Sequence, residues 1–237
     1  MSERFIRTEM LLGQDALDCL SAARVAVFGI GGVGGYVAEA LVRSGIGKID
    51  LIDNDRVSIS NLNRQIIATE KTVGLYKVDV LAERINAINP GCKVAVSRLF
   101  YLPENADQFD YSVYDYIADA VDTVTAKLKL AEEAQRASVP IISALGTGNK
   151  LDASKLRIDD IYNTSGCPLA RIMRKECRRR GIRSLKVVYS NEDPLKPAVT
   201  NEISSRRSIP GSVPWVPAVA GFLMAEEIIL DLTKKYR

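Results

Sequence analysis

Histidine is absent from all 237 residues, and that single absence removes much of enzyme chemistry. Without it there is no imidazole ligand for zinc, copper or iron, no Ser-His or Cys-His nucleophile, and no unperturbed side chain able to shuttle protons at neutral pH. Cysteine is scarce. The four present, Cys19, Cys92, Cys167 and Cys177, form no C-x-x-C pair, so neither a zinc knuckle nor a dithiol redox couple is written here, and a reduced, intracellular protein is expected. No apolar run approaches the ~18 residues of a spanning helix, and the opening MSERFIRTEM has no apolar signal core; the expectation is a cytoplasmic protein with no membrane partner. Acid and base nearly cancel, with 32 Lys and Arg against 29 Asp and Glu, so net charge alone argues neither for nor against a polyanion. What is plentiful is hydrophobic residues, 47% of the chain. That supplies one sizeable core but not two large independent domains.

The periodicity of the apolar residues alternates. Residues 24–29 (RVAVFG) form a β-branched run ending in glycine, and 33–43 carry helical spacing. A second strand is predicted over 48–53, an amphipathic helix over 74–89 and a third strand over 93–99; 114–119, 125–137 and 139–144 continue the pattern. Strands separated by helices predict parallel βαβ units with right-handed crossovers, hence an α/β fold with a doubly wound, mainly parallel sheet. Beyond Gly148 the rhythm weakens to strands at 157–162 and 185–190 and a helix at 168–180. Residues 192–217 hold five prolines and a serine-rich stretch, the composition of a long mobile loop. A last helix is predicted over 219–235.

The strongest local signal is Gly29-Ile-Gly31-Gly32-Val-Gly34-Gly35, between a predicted strand and helix, with Asp53 ending the next strand. Gly29 permits the tight turn, Gly31 and Gly32 let backbone N–H groups approach a phosphate, Gly34 lets helix and sheet close up, and an acid at Asp53 can accept from ribose hydroxyls. By itself this predicts a Rossmann-like adenine-nucleotide site. The segments that follow, Asp53-Asn-Asp55, then Asn61-Leu-Asn-Arg64 and Lys77, place cations where a triphosphate needs them. A hydride-transfer enzyme would need an acid-base residue at a substrate carbonyl, commonly His or Tyr-x-x-x-Lys, and neither occurs. The chain is therefore expected to be one domain, 1–237, with a nucleotide-binding portion over 1–148 and a substrate-facing portion over 149–237 that extends the sheet.

RFIRTEMLLG, GIGGVGG, LIDNDRVSISNLNRQ, TVGLYKVDV, RINAINP and DAVDT together resemble the ThiF/MoeB superfamily of adenylating enzymes, relatives of the ubiquitin-activating enzymes. The resemblance implies ATP and Mg2+ as cofactors, Gly32 at the phosphates, Asp53 on the ribose, Asn61 and Arg64 as phosphate ligands, Lys77 as a phosphate cation and Asp122 as the magnesium carboxylate. Asp119 reads either as support for Asp122 or as a helix cap. Arg7 resembles the arginine that the family delivers into the neighbouring subunit's site, which implies a homodimer. Sulfur-carrier activators in this superfamily carry two C-x-x-C pairs in the C-terminal half, and this chain does not. Its ending, GSVPWVPAVAG, resembles instead the branch that uses ATP to cyclise threonylcarbamoyladenosine in tRNA, a ring closure whose nucleophile belongs to the substrate and which needs no enzyme thiol. Cys167, after Ser165-Gly166, is the one cysteine placed for a thioester. The alternatives are activation of the C-terminal carboxylate of a sulfur-carrier or ubiquitin-like protein and an NAD-binding Rossmann protein; a sulfur-transfer protein is a further partner that the resemblance allows.

A tRNA partner makes a separate feature intelligible. Residues 171–186 (RIMRKECRRRGIRSLK) hold eight basic residues, Arg171, Arg174, Lys175, Arg178, Arg179, Arg180, Arg183 and Lys186, and one acid. A localised polycation on an otherwise near-neutral body is the expected footprint of phosphate contacts, against the plainer reading of a solvated helix face.

Overall fold

Val25 and Val27 of the first strand pack into one apolar cluster, while Ala26 and Phe28 pack into another on the opposite side. Side chains alternate along a strand, so RVAVF is buried on both faces and must lie between two layers of helices. The computed structural model describes residues 3–196 and 210–236. It opens with helices α1 (Ile6–Leu12) and α2 (Gln14–Ala22), then β1 (Arg24–Phe28), α3 (Gly34–Arg43), β2 (Lys48–Ile52), α4 (Lys77–Ile88), β3 (Lys93–Ser97), β4 (Tyr116–Asp119), α5 (Val124–Ala137) and β5 (Ile141–Ala144). β6 (Leu156–Asp160), α6 (Pro168–Arg179), β7 (Lys186–Ser190) and α7 (Trp215–Leu232) complete it. The seven strands form one sheet in the order β3-β2-β1-β4-β5-β7-β6, parallel throughout except that β6 runs antiparallel to β7.

Helices α2, α3, α4 and α7 bury their apolar stripes on one face, and α5 and α6 cover the other. This is the expected doubly wound α/β architecture, with β7 and β6 as the C-terminal extension of the sheet. Because β2 lies to one side of β1 and β4 to the other, the chain reverses its winding between them, and the crevice at the C-terminal ends of β1 and β4 is where such sheets hold ligands.

Several boundaries differ from expectation for identifiable reasons. The helix predicted from 74 starts at Lys77, because Gly74 takes φ +87° and Tyr76 is extended. The last helix begins at Trp215 rather than 219. Pro217 sits in its first turn, where a missing N–H costs nothing, so prolines that suggested loop are helical. Of the loop expected over 192–217, residues 197–209 lie outside the described residues. Residues before and after that stretch are fastened to Asn149, whose C=O accepts from Leu195 N at 2.9 Å and whose N–H donates to Gly211 O at 2.8 Å. Among the described residues, no helix is long and apolar enough to cross a membrane.

Candidate active site

A cavity of about 690 Å³ opens at the switch point, in the size range of a small-molecule site. Its walls include the turn after β1, the acids and cations that follow β2, the segment after β4, and residues from the chain beyond β5. Gly29 turns at φ +89°, and a Cβ there would stand 2.7 Å from the carbonyl carbon and oxygen of Ala120, so the turn lies directly against the segment after β4. Gly34 is packed more tightly still: its Cβ would fall 1.8 Å from Gly29 O. Gly31 has nothing within 4 Å of that position and faces the cavity.

Asp53 fastens this loop. Its Oδ2 accepts from Ile30 N at 2.6 Å and its Oδ1 from Asp55 N at 2.7 Å, and each oxygen keeps a second lone pair for a ligand hydroxyl. Asp55 Oδ2 pairs with Lys77 Nζ at 2.7 Å. Lys77 is 5% exposed although it opens α4, so Asp55 holds and aims the cation while Lys77 borders the cavity. Asn61 Oδ1 accepts from Ser58 N at 3.1 Å, which caps a short 3-10 turn. Arg64, one turn later, donates to Ser60 O and Asn63 Oδ1, both at 2.9 Å. Its Cγ would lie 3.4 Å from a Cβ on Gly32, which puts the guanidinium stem against the glycine loop. Asp122 is exposed at the cavity wall, with Thr123 Oγ1 at 3.4 Å from its Oδ1. The structure thus brings Gly29, Gly31, Gly32, Asp53, Asp55, Asn61, Arg64, Lys77 and Asp122 to one cavity.

Among the described residues, no three His, Cys, Asp or Glu side chains converge to hold a metal ion. Asp122, exposed at the cavity wall, would be the carboxylate to meet magnesium carried on nucleotide phosphates, which asks the protein for only one or two such groups. Arg7 does not line the cavity in this chain. It lies in α1, whose Ile6, Met10 and Leu11 are 49, 80 and 86% exposed.

Cys167 is placed differently from a reactive thiol. It is buried at the start of α6, and a Cβ on Gly146 would meet its sulfur at 2.6 Å, so the thiol is wedged beneath the cavity-lining Gly146. Burial pushes the Cys177 thiol up to about 11.

The basic segment divides. On α6, Ala170, Met173 and Cys177 form the buried stripe, which leaves Arg171, Lys175, Arg178 and Arg179 exposed on the opposite side. Arg183, beyond the helix, is exposed too. Arg178 lies over the Tyr162 ring at 5.3 Å, and Arg179 pairs with Glu176 at 2.7 Å. Arg174 reaches inward to Thr164 O at 2.7 Å, and Arg180 pairs with Glu132 at 3.0 Å. Lys186 leaves the group altogether. It lies on β7 with its side chain toward α7, 2.8 Å from Glu227 and 2.6 Å from Asp231, because alternation along the strand sends residue 186 to the face opposite α6.

Sequence reasoning missed Lys127. It lies on α5, borders the cavity and is 1% exposed, paired with Asp119 at 3.1 Å. A lysine in the run TAKLKLAEEAQ reads as an ordinary solvent-facing helix charge. Asp119 itself, at 0% exposure, accepts from Val121 N at 3.2 Å, so it fastens the segment that leads to Asp122.

Residues 4–236 match the ThiF family. A Bacillus subtilis (strain 168) protein named tRNA threonylcarbamoyladenosine dehydratase is 40% identical over 245 residues, covering 99% of this chain and 96% of its own. An Escherichia coli (strain K12) protein of the same name is 35% identical over 228 residues, covering 93% and 85% respectively. The crystal structure of E. coli tRNA N6-threonylcarbamoyladenosine dehydratase in complex with ATP superposes with a TM-score of 0.89 at 35% identity, covering 98% of this chain and 95% of that one.

Proposed function

The chain belongs to the ThiF family, and on that premise we propose that it carries out the ATP-dependent dehydration of threonylcarbamoyladenosine in tRNA. The observation that carries this reading is that Arg64, whose stem lies against Gly32, and Lys77 line one cavity with the glycine loop. Two cations there match a triphosphate, and its E. coli relative of like fold binds ATP.

The first step forms an acyl-adenylate. An oxygen of the threonyl carboxylate attacks the α-phosphorus, the bond to the bridging oxygen breaks, and pyrophosphate leaves. Backbone N–H groups of the glycine loop, Arg64 and Lys77 stabilise the charge that builds on the phosphates, a contribution worth roughly 10²–10³ in rate for a single well-placed donor. Asp122 would hold magnesium, which screens the same charge when bound. In the second step the carbamoyl group of the same side chain attacks the acyl carbon, releases its proton to solvent and displaces AMP. The oxygen formally lost as water departs on AMP. Because nucleophile and electrophile belong to one side chain, orientation supplies much of the rate, and a buried Cys167 takes no part.

The tRNA reading is supported by Leu169, which borders the cavity at the start of α6, where the exposed Arg171 and Lys175 follow. The phosphate backbone would track that helix while the modified nucleoside enters the cavity. A homodimer is supported by the exposed apolar residues of α1, which a second copy would cover as it delivers Arg7. The cytoplasm is the compartment that fits a tRNA substrate and four unpaired cysteines.

One substrate panel tests the reading. Pyrophosphate release is measured with threonylcarbamoyl-modified tRNA, with unmodified tRNA and with a small-protein C-terminal tail, beside an assay for NAD turnover. Release that requires the modified tRNA is expected. Release driven by the protein tail, or turnover of NAD, would replace this reading with one of the alternatives.

A further inference from the structure

Asp119 and Ser143 are 0% exposed and Lys127 is 1% exposed. Lys127 Nζ lies 3.1 Å from both carboxylate oxygens of Asp119 and 3.3 Å from Ser143 Oγ, and Ser143 Oγ donates to Asp119 Oδ2. An ion pair this deep is a poor stabiliser, because desolvation of both charges offsets most of their attraction and apolar side chains of equal volume fill such space as well. What it supplies is direction. Asp119 ends β4, Ser143 lies near the end of β5, and Lys127 belongs to the opening turns of α5, so the cluster ties three elements together at the C-terminal edge of the sheet.

The chain between Asp119 and Lys127 is thereby closed into a short loop, and a short closed loop has few conformations. That loop is a wall of the cavity. Ala120 lies against the Gly29 turn, Val121 N–H donates to Asp119 Oδ1 at 3.2 Å, and Asp122 comes next. One cluster therefore fixes both the acid at the wall and the surface against which the glycine loop turns.

We propose that Asp119, Lys127 and Ser143 are positioning residues of the adenylation reaction, which hold the Asp122 carboxylate in register with the glycine loop. The proposal rests on the reading of Asp122 as the carboxylate that faces magnesium and phosphate. Lys127 borders the cavity, but its Nζ is turned to Asp119 and Ser143. The effect of the three passes through the 120–122 segment.

The test uses the shape-preserving double variant Asp119→Asn/Lys127→Met, which removes both charges and leaves neither buried alone. Mg2+ is titrated into pyrophosphate release at saturating modified tRNA, and binding of a non-hydrolysable ATP analogue is measured with and without Mg2+. The Mg2+ midpoint should rise and kcat should fall by about tenfold to a hundredfold, the usual effect of losing support behind a metal-facing group. Binding of tRNA, and of the analogue without Mg2+, should stay within about twofold. A folded variant with parental Mg2+ midpoint and kcat overturns the proposal. If the double variant does not fold, Ser143→Ala keeps the ion pair and removes one of its bonds; the protein should stay folded with a melting temperature lower by a few degrees, its Mg2+ midpoint should rise severalfold, and an unchanged midpoint overturns the proposal equally. Asp122→Asn run in parallel separates the two ideas. If it too shows parental Mg2+ dependence, the reading of Asp122 fails; if it alone is impaired, only the positioning role fails.

Discussion

Two glycines three residues apart in the chain, Gly31 and Gly34, do opposite jobs in one loop, and alanine at each should separate folding from binding. At Gly34 a Cβ would stand 1.8 Å from Gly29 O, 3.0 Å from Gly29 C and 3.3 Å from Ala120 Cβ. Ordinary contact begins near about 3.5 Å, so turn and helix would have to part by roughly one and a half ångströms. The nearest atoms are backbone and cannot rotate away. Overpacking of this kind costs about 1–3 kcal/mol, here toward the upper end, and a chain of this size loses about 2–4 °C of melting temperature per kcal/mol. At Gly31 nothing lies within 4 Å and φ is not in the left-handed region. Alanine there should leave stability unchanged or raise it by up to ~1 kcal/mol through the unfolded chain. Its methyl group, however, occupies the cavity where a phosphate must approach the backbone. A loss of tenfold in ATP affinity corresponds to about 1.4 kcal/mol, and at least that is expected. Thermal melts without ligand and calorimetric titration with ATP read the two effects separately. A Gly34→Ala protein as stable as its parent, or a Gly31→Ala protein with parental ATP affinity, would refute the division of roles.

Three further outcomes follow from the structure. Neutralising Arg171, Lys175, Arg178 and Arg179 together should weaken tRNA binding and flatten its salt dependence by about 0.7–0.9 log units per lost phosphate contact, while ATP binding is spared; Lys186→Gln, whose parent side chain faces α7, should leave the filter-binding slope unchanged. Mixing Arg7→Ala chains with Asp122→Ala chains, each inactive alone, should recover about a quarter of parental activity, because half of randomly formed dimers hold one intact composite site of two; no recovery in demonstrated heterodimers removes Arg7 from the site. Burial pushes the Cys92 and Cys177 thiols up to about 11 from 9.0, so above pH 9 the unfolded state binds fewer protons than the folded one and stability falls until about pH 11. The buried tyrosines act in the same direction. Denaturant unfolding across that range should show the decline, less steep in the Cys92→Ala/Cys177→Ala variant.

The elements that the sequence made legible are those whose signals are local. RVAVF is buried on both faces and is followed by glycines at the turn, so strand, loop and helix could be read from adjacent residues, and Asp53 from its place at the end of the next strand. Sheet order was less accessible. That β7 inserts between β5 and β6, and that β6 runs antiparallel at the edge, depends on pairings between segments whose spacing says nothing of direction. The basic segment shows the same limit at the level of single residues. Clustering along the chain grouped Lys186 with α6, whereas the alternation of a strand sends it to the other layer. Lys127 was hidden because burial of a charge is decided by Asp119 and Ser143, which approach it from two other elements. Pro217 misled in the opposite sense, since proline punctuates a loop and opens a helix with equal ease.

If the threonyl carboxylate is activated by transfer to the α-phosphorus, one of its oxygen atoms must leave on AMP. Modified tRNA prepared with threonine whose carboxylate carries oxygen-18 is turned over once with ATP, and the nucleotide product is examined by mass spectrometry. Transfer to the α-phosphorus predicts AMP with one heavy oxygen on its phosphate, formed together with pyrophosphate and the cyclised nucleoside. Unlabelled AMP, or ADP with labelled inorganic phosphate, would contradict it.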